Sequence, residues 1–541
     1  MNKNMTQRTA LLSVYHKEGI VEFAQALQEQ GFAIISSGGT ARELKEAGVE
    51  NVTDVKEITG YPAILGHRVV TLHPAIYGGI LAKETDEHER ELREHQIKRI
   101  HLVCVDMYPL EIEIAKPEST KKSIIEMTDI GGPTLLRAAA KSRLITICNP
   151  LDRQRVIDWL KIGEPDREIF INELATKAEM AATNYALTSA RYISDGIVDG
   201  FTGTRITECA YGENAWQTPA GLYISPNEID DPLSLDKFQS VGGSTLSYNN
   251  TADVDRLLLT ATHIAAGIDI NKNIFEVEEV PFMAIGVKHG NPCGAAIGQN
   301  RKDVLEKMIA GNPLALFGGL VMVNFPITNE LAEFIGEHKC LFDGIIAPQI
   351  DNDAIQTMER KRGKCRMLVN PALASLNRKS LDTKSRFRYV RGGFLLQPNY
   401  TFVIDLNHPD MQRHGEFTSQ QLQDSILAWA IGSTSNSNTI TIVKNGMLLG
   451  NGVGQQARVY GAHTATYLAN MAKHDLSNAT AYSDSFFPFP DGVEELAKTG
   501  IKAILTSSGS IKDKDVIARA QELGVSMLLI PDKKARGFFG H

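Results

Sequence analysis

Along the first third of the chain, short apolar runs alternate with stretches that are apolar at every third or fourth position. Ala10–Tyr15 is such a run. Glu18–Gln30 follows, with Ile20, Val21, Phe23, Ala24 and Leu27 spaced for one face of a helix. Phe32–Ser36 predicts a second strand, closed by Ser37-Gly38-Gly39-Thr40 ahead of a helical Ala41–Ala47. His101–Met107 reads as a buried strand, Thr134–Lys141 as the start of a helix after Asp129-Ile130-Gly131-Gly132-Pro133, and Leu144–Cys148 as another strand. This alternation predicts an α/β domain with a parallel sheet and ligand loops at its carboxyl edge. From Asp166 to about Asp195 the pattern is wholly helical, as for a connector leaving the first domain. The polar, glycine-bearing stretch Gly200–Thr207 is the expected boundary, giving domains of residues 1–199 and 200–541. Beyond it, apolar runs at Met283–Val287, Leu320–Val323, Gly344–Ala347 and Thr439–Val443 predict mixed strands and helices. They suggest two halves divided near Val369–Arg391, without a visible sequence repeat.

Composition narrows the functional classes. At 541 residues with 43% hydrophobic and 22% charged positions, several globular domains are expected. A formal net charge of -8 argues against a broad nucleic-acid-binding face. None of the six cysteines forms a CxxC pair or has a histidine at zinc-ligand spacing, so no catalytic metal is expected and free thiols are. Met1–Arg8 lacks the apolar core of a signal peptide, and no run of about 18 apolar residues offers a membrane span. The expectation is a cytoplasmic protein that engages neither nucleic acid nor membrane.

Several clusters could carry chemistry. Ser37-Gly38-Gly39-Thr40 lies between a strand and a helix, where exposed amides and small hydroxyls suit a phosphate. It contains neither a dinucleotide fingerprint nor a P-loop, and a plain strand-to-helix turn would read the same way. Ser13 and Lys17, at the end of the preceding strand, could reach the same anion. Asp129 and Gly131 belong to a second polar cluster, opening a helix that carries Arg137 and Lys141 four residues apart on one face; an ordinary cap with a solvated cationic face would read the same way. Lys288-His289-Gly290 follows a buried strand, so two ionisable side chains stand at a sheet rim, a common place for a proton-transfer pair. Gly452–Arg458 is a glycine turn leading to amides and a guanidinium suited to an anion. Ser483–Phe489 combines Asp484 with Phe486, Phe487 and Phe489, either the wall of a flat-ring pocket or core.

In order along the chain, Leu12–Lys17, Ser37–Ala41, Val70–Ala82, Asp129–Lys141, Tyr211–Gln217, Leu246–Asn250, Lys288–Gly294, Phe317-Gly318-Gly319, Gly454–Arg458 and Asp484–Pro490 resemble one family. It is the bifunctional aminoimidazole-carboxamide ribotide (AICAR) transformylase/inosine monophosphate (IMP) cyclohydrolase of purine biosynthesis. The resemblance implies a methylglyoxal-synthase-like parallel-sheet domain followed by a transformylase of two cytidine-deaminase-like α/β halves without catalytic zinc. It implies formyl transfer from 10-formyltetrahydrofolate to AICAR, then dehydrative closure of formyl-AICAR to IMP. It also implies a homodimer whose transformylase sites are shared between chains. Carried onto this sequence, His289 is the expected proton acceptor and Lys288 the oxyanion partner. Asn438 would orient the transfer, and Tyr211, Arg458, Phe486 and Phe487 would contact substrates. In the first domain Asp129 and Lys141 would shuttle protons and Tyr108 would stabilise the oxyanion. Ser13, Lys17, Ser37, Gly38, Gly39, Thr40, Arg68, Thr71 and Gly131 would hold the ribotide.

The chain departs from the family at a lysine that is Val70 here, an arginine that is Ala210 and a histidine that is Trp216. These departures keep two other readings in view: a transformylase whose first domain only binds nucleotide, and a ribotide-binding sensor.

Overall fold

The alternation of the first third folds into a five-stranded sheet of β1 (Arg8–Val14), β2 (Phe32–Ser36), β3 (Val52–Asp54), β4 (Leu102–Asp106) and β5 (Ile145–Ile147). The computed structural model describes residues 7–225 and 231–541. It divides the chain into a first unit up to Gly203, which also takes in Ser225, and a second unit from Thr204 onward. In the first unit the strand order is β3-β2-β1-β4-β5 and every pairing is parallel. The chain runs outward from β1 to β3, then returns to build the other side, so the winding reverses between β1 and β4. Carboxyl ends of strands at such a reversal border a crevice.

Both faces of this sheet are covered, which is why its strands read as unbroken apolar runs. Leu12, Ile34 and Leu102 pack with Phe23 and Leu27 on one face. Leu11, Ile35 and Val103 pack with Ile76 and Leu136 on the other. The helix Arg167–Ile193, expected as a connector, instead belongs to this core. Its Ile171, Leu174, Ala175 and Ala178 are buried at helical spacing and join both clusters. The helix expected from Thr134 begins earlier, at Gly131, because Pro133 is tolerated in a first turn.

In the second unit β6 (Thr204–Cys209) and β7 (Ala220–Ile224) form a separate antiparallel pair. A 12-stranded sheet follows, made of two sets of six. The first set is β8 (Gln239–Gly242), β9 (Phe282–Lys288), β10 (Asn291–Gly298), β11 (Leu320–Val323), β12 (Gly344–Ala347) and β13 (Arg366–Val369). After the hairpin β14 (Ser385–Val390) and β15 (Gly393–Pro398) comes the second set. It is β16 (Gln412–His414), β17 (Ile440–Lys444), β18 (Met447–Gly452), β19 (Thr480–Ser483), β20 (Ala503–Ser508) and β21 (Ser526–Pro531).

The order β16-β21-β20-β19-β17-β18-β10-β9-β11-β12-β13-β8 is the same half written twice, joined back to back between β18 and β10. Each half has an antiparallel hairpin, an antiparallel neighbour, two parallel strands and an antiparallel edge. Each hairpin is preceded by a buried helix, Tyr248–Ile270 in one half and Ser419–Gly432 in the other. The two helices meet where Gly267 approaches Ile426 and Trp429. The expected pair of halves is therefore present as a structural duplication that sequence comparison within the chain does not reveal.

Candidate active sites

The crevice of the first unit is a cavity of about 800 Å³. It is lined by Ser13, Lys17, Ser37, Gly38, Gly39, Thr40, Arg68, Thr71, Tyr108, Asp129 and Gly131, all expected from sequence. At one end the chain delivers small hydroxyls and a cation. Ser13 and Ser37 share a hydrogen bond of 2.8 Å between their Oγ atoms, and Lys17 Nζ donates to Thr40 Oγ1 at 3.0 Å. Thr40 Oγ1 in turn donates to Val14 O at 3.1 Å, tying the start of helix Gly38–Glu46 to the end of β1. Burial lowers the Lys17 pKa below the ordinary lysine value, with the charges of Asp106 and Glu43 acting against it. Amides, hydroxyls and one ammonium converging on a helix N-terminus make a cradle for a phosphate.

At the other end Asp129 Oδ1 accepts the Gly132 amide at 3.0 Å, while the Asp129 amide donates to Tyr185 Oη at 2.8 Å. Burial raises the Asp129 pKa, outweighing the amides of Gly132, Tyr108 and Gly131, which favour the carboxylate. Tyr108 is shifted upward too, by burial first and then by the Asp129 charge. A carboxyl pushed toward the neutral form beside a phenol can take and return a proton. Lys141 is not in this cavity. It is exposed at the far end of helix Gly131–Lys141, about 15 Å along the axis from Gly131 at 1.5 Å per residue. Arg68 lines the mouth and is ion-paired with Glu126, both side chains being largely exposed.

In the second unit, Lys288 ends β9 and His289-Gly290 forms the turn into β10, with Lys288 paired to Asn291. Both turn residues have positive φ, 52° at His289 and 72° at Gly290. This is the geometry of a type I′ turn, which needs left-handed backbone at both central positions. Lys288 Nζ donates to Phe317 O at 2.7 Å. A Cβ on Gly318 would stand 3.9 Å from both Lys288 Nζ and Asp343 Oδ1, so those groups face a common space beside that glycine.

The loop after helix Ser419–Gly432 reaches the same turn: the Asn436 amide donates to Asn291 Oδ1 at 3.0 Å. Asn438 lies two residues on, its Nδ2 donating to Gln455 O at 2.8 Å and its Oδ1 accepting from Arg458 Nη2 at 3.0 Å. Arg458, expected to hold substrate, is instead committed within the protein. Its guanidinium is buried, pairs with the buried Asp484 and donates to Ser483 Oγ at 2.8 Å. Phe487 is likewise core, 2% exposed and packed against Gly492, because the chain must turn inward before helix Asp491–Lys498. Phe486 stays partly exposed, and Tyr211 is 38% exposed on the link between β6 and β7.

Two comparisons decide the family. The AICARFT/IMPCHase bienzyme family matches residues 138–467, and an MGS-like domain matches residues 19–134. The chain belongs to the AICARFT/IMPCHase bienzyme family. It is similar along nearly its whole length to proteins named bifunctional purine biosynthesis protein PurH. The relative from Oceanobacillus iheyensis is 34% identical over 530 residues, covering 96% of this chain and 98% of its own. Those from Anoxybacillus flavithermus and Aquifex aeolicus are 35% and 34% identical over the same shares of each chain. The chain is thus a bifunctional enzyme of purine biosynthesis, an AICAR formyltransferase and IMP cyclohydrolase. A ribotide sensor and a single-activity transformylase are not favoured.

With the bienzyme in view, the departures can be placed. Val70 lines the first cavity, so an isopropyl group stands where the family has an ammonium. Ala210 and the 79%-exposed Trp216 flank the Tyr211 segment. Sequence reading missed Asp253, Asn436 and Asp343. Asp253 did leave a signal: it is an acid beside Val254 and four residues before Leu257, among the buried positions of its helix. Among the described residues no helix is long and apolar enough to cross a membrane, and no cluster of three or more His, Cys, Asp or Glu is placed to hold a metal ion.

Proposed function

We propose that both half-reactions run on this chain with the division of labour the two sites suggest. The observation that carries this is that one chain holds both the Asp129/Tyr108 cavity and the Lys288-His289 turn. In the second unit a formyl group from a folate-type one-carbon donor, read here as 10-formyltetrahydrofolate, passes to the ribotide amine. That amine is a weak nucleophile, its lone pair delocalised into the ring. His289 takes its proton as the N–C bond forms, and Lys288 stabilises the developing oxyanion and supplies the proton to the departing folate nitrogen. Asn438, fixed from both ends, orients the transfer, while Phe486 and Tyr211 contact the substrates. Arg458 and Phe487 act by holding the wall in shape.

In the first unit the formylated carboxamide closes on its own formyl carbon and loses water. The step is intramolecular, so positioning removes much of the barrier. Ser13, Lys17, Ser37 and Thr40 take the phosphate, Asp129 moves protons and Tyr108 with nearby amides steadies the oxyanion. Arg68 and Lys17 supply the positive charge that Val70 does not. Lys141 has no part in this cavity.

The active form is read as a homodimer in the cytoplasm. The β14–β15 hairpin supports a dimer: Tyr389 is 76% and Leu395 61% exposed, and an isolated hairpin is marginal in water unless something covers it. The deciding assay mixes purified protein with AICAR and 10-formyltetrahydrofolate and separates products by chromatography. IMP above the rate at which the formylated intermediate closes without enzyme supports both activities. Accumulated intermediate would overturn the cyclohydrolase assignment, and no product would overturn the whole reading.

A further inference from the structure

The duplication lets each feature of the His289 turn be compared with its counterpart in the other half. There the turn is Lys444-Asn445-Gly446-Met447, joining β17 to β18 as Lys288-His289-Gly290-Asn291 joins β9 to β10. The backbone is the same, with φ of 54° at Asn445 and 69° at Gly446. Each turn sits on a buried acid from the helix that precedes its hairpin. Asp424, 2% exposed, accepts the Gly446 amide at 2.7 Å and the Asn445 amide at 2.8 Å. Asp253, 9% exposed, accepts the Gly290 amide at 2.7 Å.

An aspartate under a left-handed two-residue turn is therefore part of the scaffold, present in both halves. What differs is the residue it supports. The second half has Asn-Gly, the pair such turns favour. The first has His-Gly, which puts an ionisable side chain on the turn that the acid supports. The surroundings differ as well. Gln420 Nε2 donates to Asp424 at 3.0 Å and Lys307 Nζ to Asn445 O at 2.8 Å, whereas Asp253 has Arg256 and the ionisable His289 in its electrostatic surroundings. A device that fixes a turn in one half carries, in the other, an ionisable residue on that same turn.

From this juxtaposition we propose that Asp253 is a positioning residue for formyl transfer: it fixes the His289-Gly290 turn through the Gly290 amide and sets a negative charge behind the ring that receives the substrate proton. As the N–C bond forms, the amine proton moves to an imidazole nitrogen, and the imidazolium so produced has a carboxylate within its electrostatic reach. The proposal rests on His289 being the proton acceptor. It adds that the ring is oriented and its charge compensated from beneath, by an acid that need not touch substrate. Burial raises the Asp253 pKa, while the Gly290 amide, the Arg256 guanidinium and the His289 ring once protonated act to keep it ionised.

The test uses the full chain and four variants. Asp253→Asn keeps an oxygen that can accept the Gly290 amide but removes the charge. Asp424→Asn makes the same change under the other turn, which carries no chemistry in this reading. Asp253→Glu keeps the charge on a longer arm. His289→Asn removes the acceptor and gives the turn its preferred sequence. Formyl transfer is followed as kcat and KM for AICAR. Melting temperature and cyclohydrolase turnover in the first unit report folding independently.

We expect Asp253→Asn to lower kcat about tenfold to a hundredfold, the scale of a compromised general base, with KM for AICAR within about twofold. Asp424→Asn should leave kcat within about twofold, and Asp253→Glu should retain more turnover than Asp253→Asn. In the His289→Asn background, adding Asp253→Asn should cost nothing further. The proposal is overturned if Asp253→Asn keeps wild-type kcat, if Asp424→Asn loses as much, or if Asp253→Glu is no better than Asn. Should His289→Asn itself keep full turnover, the assignment of His289 fails, and that outcome is distinct from the failure of Asp253 alone.

Discussion

At Arg458 the sequence suggests a guanidinium waiting for an anion, and the structure supplies the anion from within. The ion pair with Asp484 is nearly excluded from water, the side chains being 8% and 0% exposed. Removing one member of such a pair leaves the other buried without compensation, a loss of about 3–5 kcal/mol. Arg458→Met should accordingly lower unfolding stability by about that amount in a denaturant titration. A variant with unchanged stability and a raised KM would return Arg458 to the substrate.

His263 poses the related question for a titrating group. It is 1% exposed, its Nδ1 lies 2.7 Å from Leu259 O and its Nε2 3.2 Å from Tyr400 O. Burial lowers its pKa from 6.5 to about 4, the two carbonyls opposing the shift. A depressed histidine gives stability that is complete above the unfolded-state pKa and is lost as pH falls toward the folded-state value. Between about pH 6.5 and pH 4 the contribution is about 3 kcal/mol at 1.36 kcal/mol per unit. Urea melts across that range should show stability falling with acid, and a flatter slope in His263→Leu.

Among elements, the loop from Ser37 to Thr40 was legible because a strand end, glycines, hydroxyls and a helix start are local features. The same holds for Asp129 and Gly131 before their helix. What could not be read is anything that depends on how far an element runs or which way it faces. Lys141 shares a motif with Asp129 but is carried away from it by the rise of the helix between them. Phe486 and Phe487 are adjacent, and only the inward turn of the chain decides that the second is core. Asp253 and Asn436, far apart in sequence, reach the same turn, at Gly290 and Asn291, only once the two halves of the sheet have formed. The phosphate cradle is directly testable at this scale. Lys17→Ala removes a charge-assisted hydrogen bond worth about 1.5–3 kcal/mol, so KM for the formylated ribotide should rise roughly ten- to hundredfold. An unchanged KM would place the phosphate elsewhere.

For the whole molecule, the family assignment rests on similarity along nearly the full chain. Full-length similarity establishes a bienzyme even though Val70, Ala210 and Trp216 replace polar groups of the family pattern. Assembly is the prediction that belongs here. Tyr389→Asp, on the exposed hairpin β14–β15, should shift the protein from dimer to monomer in light scattering and reduce formyl transfer far more than ring closure. Loss of both activities together, or of neither, would mean that the hairpin does not join two copies.

The back-to-back seam between β10 and β18 has a further consequence, for solubility. Two separate six-stranded sheets would present four edges, each a row of unpaired amides and carbonyls open to another chain. Joined through Ala296 and Met447, the halves hide two of those edges inside one sheet. The edges that remain are β8 and β16, of four and three residues, too short to template a long partner strand. Cutting the chain between the halves would lay bare β10 and β18, eight and six residues long and largely apolar. Each half expressed alone should therefore aggregate, so the duplicated halves are bound to remain one polypeptide whatever chemistry either of them keeps.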